Sequence, residues 1–308
     1  MASIQTAYNQ VAANKFKTIL TMVIFTAVVA VIAYIFTAAL GYQGPDALFF
    51  IGIFLVIAGI MNFASFYWSD SIILGISQAQ QIQEKDDPEL FHTVENLCIA
   101  AGLPMPRVYI IDDTATNAFS TGRDPGHSAI VFTRGILEKL DRAELEGVAS
   151  HELSHIKNFD IRLMAVVTIL VGLIALLGDM FFRMMWWGRG NRDERGGGGA
   201  ILIIVAIVLA ILSPIIAQLI QLAVSRRREF LADASGALLT RNPDELADAL
   251  LKISQDQEPL EVANKGTAHL YFANPFKDSH KGGVRWFANL FNTHPPIEER
   301  VAALRAMQ

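Results

Sequence analysis

Apolar and polar positions divide this chain into long blocks of two kinds. Residues 1–17 are polar, with Lys15 and Lys17 just before an apolar run from Ile19 to about Leu40. That run has the roughly 20 residues a helix needs to cross a bilayer. It exceeds the 7–15 residue apolar core typical of a cleaved signal peptide, so it predicts an uncleaved anchor. A short turn, 41–46, leads to a second run, Leu48 to about Trp68, with aromatics at both ends. Two further runs, Leu163 to about Met185 and Ala200 to Val224, flank a Gly- and Arg-rich linker at 188–199. Runs of this length favour transmembrane helices over a buried core hairpin. The pattern therefore predicts four spans in two hairpins: an N-terminal one at 1–68 (spans about 19–40 and 48–68) and a second at 163–224 (spans about 163–185 and 200–224).

The remaining blocks, 69–162 and 225–308, have soluble character and shorter periods. Gln78 to Ala101 reads as helix, with Pro88 near the start of a helical segment. Gly102-Leu103-Pro104-Met105-Pro106 breaks it, and Val108–Ile111 is rich in β-formers. Asn117–Gly122 and Ser128–Thr133 are strand candidates joined by Arg123-Asp124-Pro125-Gly126, a turn signal. Helical spacing resumes from Leu140 through residue 155. Asn242-Pro243 opens an amphipathic helix ending near Ser254, residues 256–285 are irregular, and a final helix opens at 293–296. The fold class is thus an α-helical membrane protein whose mainly α, α+β catalytic domain is discontinuous in sequence and carries one small sheet.

Composition agrees with that division. The 308 residues are 52% hydrophobic with mean hydropathy +0.36, too apolar for an ordinary soluble protein. A net charge of −5 argues against a nucleic-acid partner. The single cysteine, Cys98, excludes an intrachain disulfide and fits a reducing compartment. With four spans, Lys15, Lys17, Lys157, Arg162 and Arg226 to Arg228 share one side, which the positive-inside rule makes cytoplasmic. Arg189, Arg192 and Arg195 fall on the other side, and the larger cluster decides. The prediction is a multi-pass protein of the inner (cytoplasmic) cell membrane with both soluble blocks in the cytoplasm.

The chemistry lies in Ser150-His151-Glu152-Leu153-Ser154-His155. On a helix, His-Glu-x-x-His sets two imidazoles one turn apart, a zinc-binding geometry, and leaves the glutamate beside them to act as a base. One zinc ion per chain, held by His151 and His155, needs a third protein ligand. A metzincin would have Gly and His where this chain has Asn158 and Ile161. A thermolysin-like spacing puts the third ligand near Ala175, inside an apolar run. Asp160 would lie about 140° around a continuing helix from His155 and face away. Asp179 would be about 36 Å further along such a helix. Glu229 and Asp233 remain, an i, i+4 acidic pair for which a solvated helix face is the lesser reading on spacing alone. Glu229 is taken as the ligand and Asp233 as the carboxylate that orients a ligating histidine. Both carriers stand within a few turns of a span, so the site is expected close to the bilayer.

These residues carry a resemblance. His151–His155 with Asp160, then Arg228-Glu229-Phe230-Leu231-Ala232-Asp233, then Thr293-His294-Pro295-Pro296-Ile297-Glu298-Glu299-Arg300 resemble the HtpX family of membrane zinc metallopeptidases, and more distantly the CAAX prenyl proteases. The likeness spans about residues 70–305. It implies a gluzincin with Glu229 as third ligand and a sheet edge at 117–122 where an extended substrate adds as a strand. It also implies that Asn117 contacts the substrate or transition state, that His294 stabilises the oxyanion, and that the protein serves quality control of membrane proteins under stress. Taken alone, Asn117 reads as a turn residue, His294 as a cap-region residue and Arg300 as structural.

The expected function is a zinc endopeptidase with Glu152 as general base, acting on protein or peptide substrates, membrane proteins among them. Two other readings are a prenyl-peptide processing protease and a non-enzymatic metal-binding membrane protein such as a transporter. The first needs a large enclosed membrane chamber, and four spans are few to build it. The second needs ionisable residues along the spans, which show none apart from Asp179 and Arg183.

Overall fold

The computed structural model describes residues 7–39, 41–187, 226–263, 267, 270–273, 275 and 295–307, with backbone alone at 7–10, 36, 39 and 174–187. The linker 188–199, the run 200–224, and His269, His280 and His294 lie outside the described residues, as do the side chains of Asp179 and Arg183.

Helices α1 (Ala7–Ala39) and α2 (Gly44–Tyr67) form an antiparallel hairpin. Its composition is inverted relative to a soluble core. Phe16, Ile19, Val23, Leu48, Phe49 and Ile60 are exposed, whereas Thr18, Thr21, Ala33, Ala58, Asn62 and Ser65 are buried. Small and polar residues at the contact with large apolar ones outside is the arrangement of helices packed in lipid, where close backbone approach and hydrogen bonds replace a hydrophobic drive. Asn62 Nδ2 accordingly donates to Thr26 Oγ1 across the hairpin at 2.8 Å. Among the described residues, two helical segments are long and apolar enough to cross a membrane, Val11–Ile35 and Gly44–Tyr67. α1 begins about twelve residues before the apolar run, because its polar first turns have partners in the catalytic domain. Lys15 Nζ lies 4.4 Å from the Phe159 ring centroid, and the Arg162 guanidinium 5.0 Å from the same ring.

A short helix, α3 (Ser69–Ile76), follows the break at Trp68. The single helix predicted over 78–101 is instead two elements. Gln78 has φ +52, Gln80–Gln81 forms β1, and α4 runs Pro88–Ala101. Asp87 caps α4 by accepting from Leu90 N at 3.0 Å, Pro88 fits the first turn where no amide is needed, and Gly102 at φ +67 ends it.

Strands β2 (Arg107–Ile111), β3 (Ala118–Asp124) and β4 (His127–Thr133) complete a sheet of order β1-β2-β4-β3. β2 and β4 are parallel, and β3 pairs antiparallel with β4, leaving β3 as an outer strand. Both faces are buried, which explains the continuous rather than alternating apolar runs. Val108, Ile110, Ile130 and Phe132 face one cluster with Leu90, Val94 and Leu153; Tyr109, Ile111, Phe119 and Val131 face another with Ile73, Met164 and Tyr271.

Helix α5 (Arg134–Lys139) leads to α6 (Arg142–Lys157), and α7 (Asp160–Trp187) runs without interruption through the third predicted apolar run. Phe25 and Ala58 of the hairpin pack with Val166 and Leu170 of α7. The later block supplies α8 (Arg226–Thr240), α9 (Pro243–Gln255) and α10 (Ile297–Arg305). Leu246, Leu250, Val301 and Leu304 share one core with Val148, Leu153 and Ile156, so residues from the two soluble blocks pack as one body. Two glycines set the approach: a Cβ at Gly236 of α8 would meet Ser150 Oγ at 2.8 Å, and one at Gly147 of α6 would meet Leu246 Cα at 3.0 Å.

Candidate active site

Helix α6 starts at a reciprocal cap. Asp141 Oδ1 accepts from Glu144 N at 3.0 Å, and Glu144 Oε2 accepts from Asp141 N at 2.8 Å. From Leu145 to Ile156 nearly every side chain is buried, so the two histidines sit on a helix fixed on all sides.

Their Nε2 atoms face each other at 3.1 Å. Glu229, from the first turn of α8, brings Oε1 to 3.6 Å from His155 Nε2 and Oε2 to 3.9 Å from His151 Nε2. All three side chains are at least nine-tenths buried, with relative exposures of 1%, 5% and 3% for His151, His155 and Glu229. The other ring nitrogens are committed to carboxylates: His151 Nδ1 to Asp233 Oδ1 at 2.9 Å and His155 Nδ1 to Asp160 Oδ2 at 3.1 Å. A carboxylate at Nδ1 selects the tautomer protonated there, so each Nε2 presents a lone pair. With both rings neutral, two buried lone pairs 3.1 Å apart repel, and a proton or a metal cation held between them relieves that repulsion. Tetrahedral zinc with Zn–N bonds near 2.05 Å would separate its nitrogen ligands by about 3.3 Å, so the donor set fits zinc.

The surroundings favour a cation on the same ground. Burial alone would lower the His155 imidazole, but the Asp160 hydrogen bond and the charges of Glu229, Asp160 and Glu152 carry it up to about 9. Burial likewise works to raise Asp233, and the Arg300 charge and hydrogen bonds, joined by His151, hold it down at about 2. Glu152, Asp160, Glu229 and Asp233 are buried with two guanidiniums, Arg228 and Arg300. The excess of two negative charges among these groups is what a divalent ion would neutralise.

Glu152 lies beside the imidazoles, and its Oε2 accepts from Ser120 Oγ on β3 at 2.7 Å. Asn117, just before β3, is not open to the site: its Nδ2 donates to Ala273 O at 3.1 Å and its Oδ1 accepts from Ala273 N at 3.2 Å. Phe272 N also donates to Ala118 O at 2.8 Å, so residues 272–273 run along the start of the outer strand.

Three residues have roles here that the sequence did not disclose. Asp160 was expected to face away on a continuing helix, and that geometry is overturned. α6 ends at Lys157, Phe159 adopts φ +59, and α7 starts afresh at Asp160, whose carboxylate turns back to His155. Arg300 is 1% exposed and grips Asp233 with two hydrogen bonds, Nε to Oδ2 at 2.8 Å and Nη2 to Oδ1 at 2.7 Å. Its guanidinium stacks 4.9 Å from the Phe272 ring centroid. Only its place in the last motif hinted at this. Ser120 carried no signal in its spacing.

A buried His-Glu-x-x-His helix faced by a glutamate from a second helix, on a body joined to an apolar hairpin, defines a membrane metalloprotease. The model of peptidase family M48 matches residues 84–308, and the chain belongs to that family. It is 44% identical to the Protease HtpX homolog of Lactobacillus helveticus over 308 residues, covering 97% of this chain and 99% of the relative. It is 43% identical to the Protease HtpX homolog of Dictyoglomus thermophilum, covering 98% and 95%. A solved structure, "Crystal Structure of S. mikatae Ste24p", aligns with TM-score 0.49 and 19% identity over 96% of this chain and 67% of that one. The protein is therefore a membrane-associated protease of the metallopeptidase type, acting on peptide or protein substrates.

Proposed function

We propose that His151, His155 and Glu229 hold one zinc ion and that the protein is a multi-pass endopeptidase of the cell membrane. The observation that carries this reading is the pair of Nε2 atoms 3.1 Å apart, each imidazole fixed by a carboxylate at its Nδ1. Bound there, zinc would polarise the scissile carbonyl and acidify the attacking water. Glu152 takes the proton from that water and delivers it to the departing amine, and Ser120 holds Oε2 so that the carboxylate keeps its aim. His294 donates to the oxyanion. The substrate adds as a strand to β3, and Asn117 would reach it only after residues 272–273 yield. Domain organisation follows the sequence: a catalytic domain of 69–162 and 225–308, spans at about 163–185 and 200–224 beside the N-terminal hairpin, and an active site on the cytoplasmic side. A site near the bilayer suits membrane-protein substrates and hence quality control under stress.

The test is a pair of variants of the purified full-length protein. Glu152→Gln is expected to keep stoichiometric zinc by elemental analysis and to lose cleavage of an unfolded protein substrate by at least a hundredfold. Glu229→Ala is expected to lose the metal. Substantial residual proteolysis in E152Q would remove Glu152 as base. Full zinc in E229A, with loss in Asp233→Ala instead, would exchange the two carboxylates.

A further inference from the structure

We infer that Asn14, on the first membrane helix, is a positioning residue for the zinc site: α1 completes the hydrogen-bonded support of His155. The inference rests on the zinc reading above. Asn14 lies in the polar N-terminal part of α1, outside the 84–308 stretch that matches the peptidase family, yet it is only 1% exposed.

Its amide is used on both sides. Nδ2 donates to Asp160 Oδ1 at 2.7 Å and to Asn158 O at 2.9 Å, while Oδ1 accepts from Arg228 Nη1 at 3.4 Å. Asp160 holds His155 Nδ1 through its other oxygen, at 3.1 Å. Arg228 adjoins Glu229 in the chain and lies 3.5 Å from Asp160 Oδ1. One amide from the membrane hairpin thus touches the support of a histidine ligand and the residue next to the glutamate ligand.

Asn14 also fixes the corner between α6 and α7. Asn158 O, at the end of α6, and Asp160, at the start of α7, flank Phe159 at φ +59, a left-handed conformation that is strained for a non-glycine residue. A strained corner keeps its shape only where neighbours over-determine it. Removing the Nδ2 donor takes the shortest hydrogen bond from Asp160 Oδ1 and loosens the corner that aims the carboxylate at His155. Partners of ligating histidines typically contribute 10–100-fold in metal affinity or activity.

The experiment measures zinc affinity of the full-length protein in nanodiscs by competition with a chelating fluorophore, with assembly checked by circular dichroism. Asn14→Leu, of similar size and without a donor, and Asn14→Asp, which sets a carboxylate against Asp160, are each expected to weaken zinc binding about tenfold or more. In an Asp160→Ala background, N14L should lose most of its effect, because its contact with the carboxylate that holds His155 is gone while those to Asn158 O and Arg228 remain. A purely structural role would instead give additive losses. If N14L does not assemble, Asn14→Ala is read in the same cycle. Unchanged affinity in the assembled single variants, or additive losses in the cycle, would overturn the inference. His155→Ala is the control: if it binds zinc as the parent does, the zinc reading itself fails, whereas loss of zinc in H155A with silent Asn14 variants removes this inference alone.

Discussion

Arg300 has its whole guanidinium in the interior and its charge spent on Asp233. A lysine ammonium cannot reproduce the two-pronged contact. Arg300→Lys is therefore expected to keep the fold but to lower zinc affinity and activity about tenfold, through a looser Asp233–His151 pair. Arg300→Ala leaves a buried carboxylate without its cation and should destabilise the protein by about 3–5 kcal/mol. Denaturant melts and zinc titrations of the two variants separate these effects. Cys98 is simpler. Burial, aided by the charge of Glu95, pushes its thiol up to about 11. The group stays protonated at pH 8, so it should resist thiol reagents in the native protein and react once the chain is unfolded. The pairing of His151 with His155 was legible because the helical period alone sets them one turn apart. Asp160 was not, because a left-handed Phe159 replaces the glycine or proline that usually announces a helix end. Ser120 and Arg300 meet the site through tertiary packing, which no local spacing encodes.

Among the elements, α6 and α8 matter most, since each carries part of the donor set. Gly236 permits their approach. Gly236→Val would set branched carbon where Ser150 Oγ and His151 N leave 2.8 and 3.1 Å. The expected result is a destabilisation of about 1–3 kcal/mol and a weakened metal site, since Glu229 and Asp233 move out with α8. Thermal melts with zinc and with chelator check this; equal melting shifts in both would show that the metal site had not felt the change. Strands β2 to β4 could be read because β-rich runs and turn residues bracket them. Residues 78–87 could not, since the two-residue β1 shows no period. The Asp87-Pro88 pair did carry the start signal of α4.

For the molecule as a whole, the outward apolar face of α1 and α2 and the cationic groups at one end of the hairpin predict its orientation. A cysteine at Tyr42, in the exposed turn between the helices, should react with an impermeant thiol reagent in intact cells. One at Asp112, exposed on the catalytic body, should react only after lysis. Labelling of the Asp112 variant in intact cells would reverse the topology and leave the chemistry unchanged. The length of the apolar runs made the hairpin legible, but its contact with Asn158 and Asp160 through Asn14 could not be read from the composition of α1. The union of two sequence blocks in one core also bears on how the protein is born. His151 leaves the ribosome first, Glu229 only after a further stretch of chain, and Arg300 later still. At about 5–20 residues per second, roughly 7–30 s separate the first from the last. Throughout that interval the nascent polypeptide carries histidines with neither their glutamate nor the arginine that steadies Asp233. The cluster of His151, His155, Glu229 and Asp233 is therefore assembled only when synthesis of the chain is nearly done.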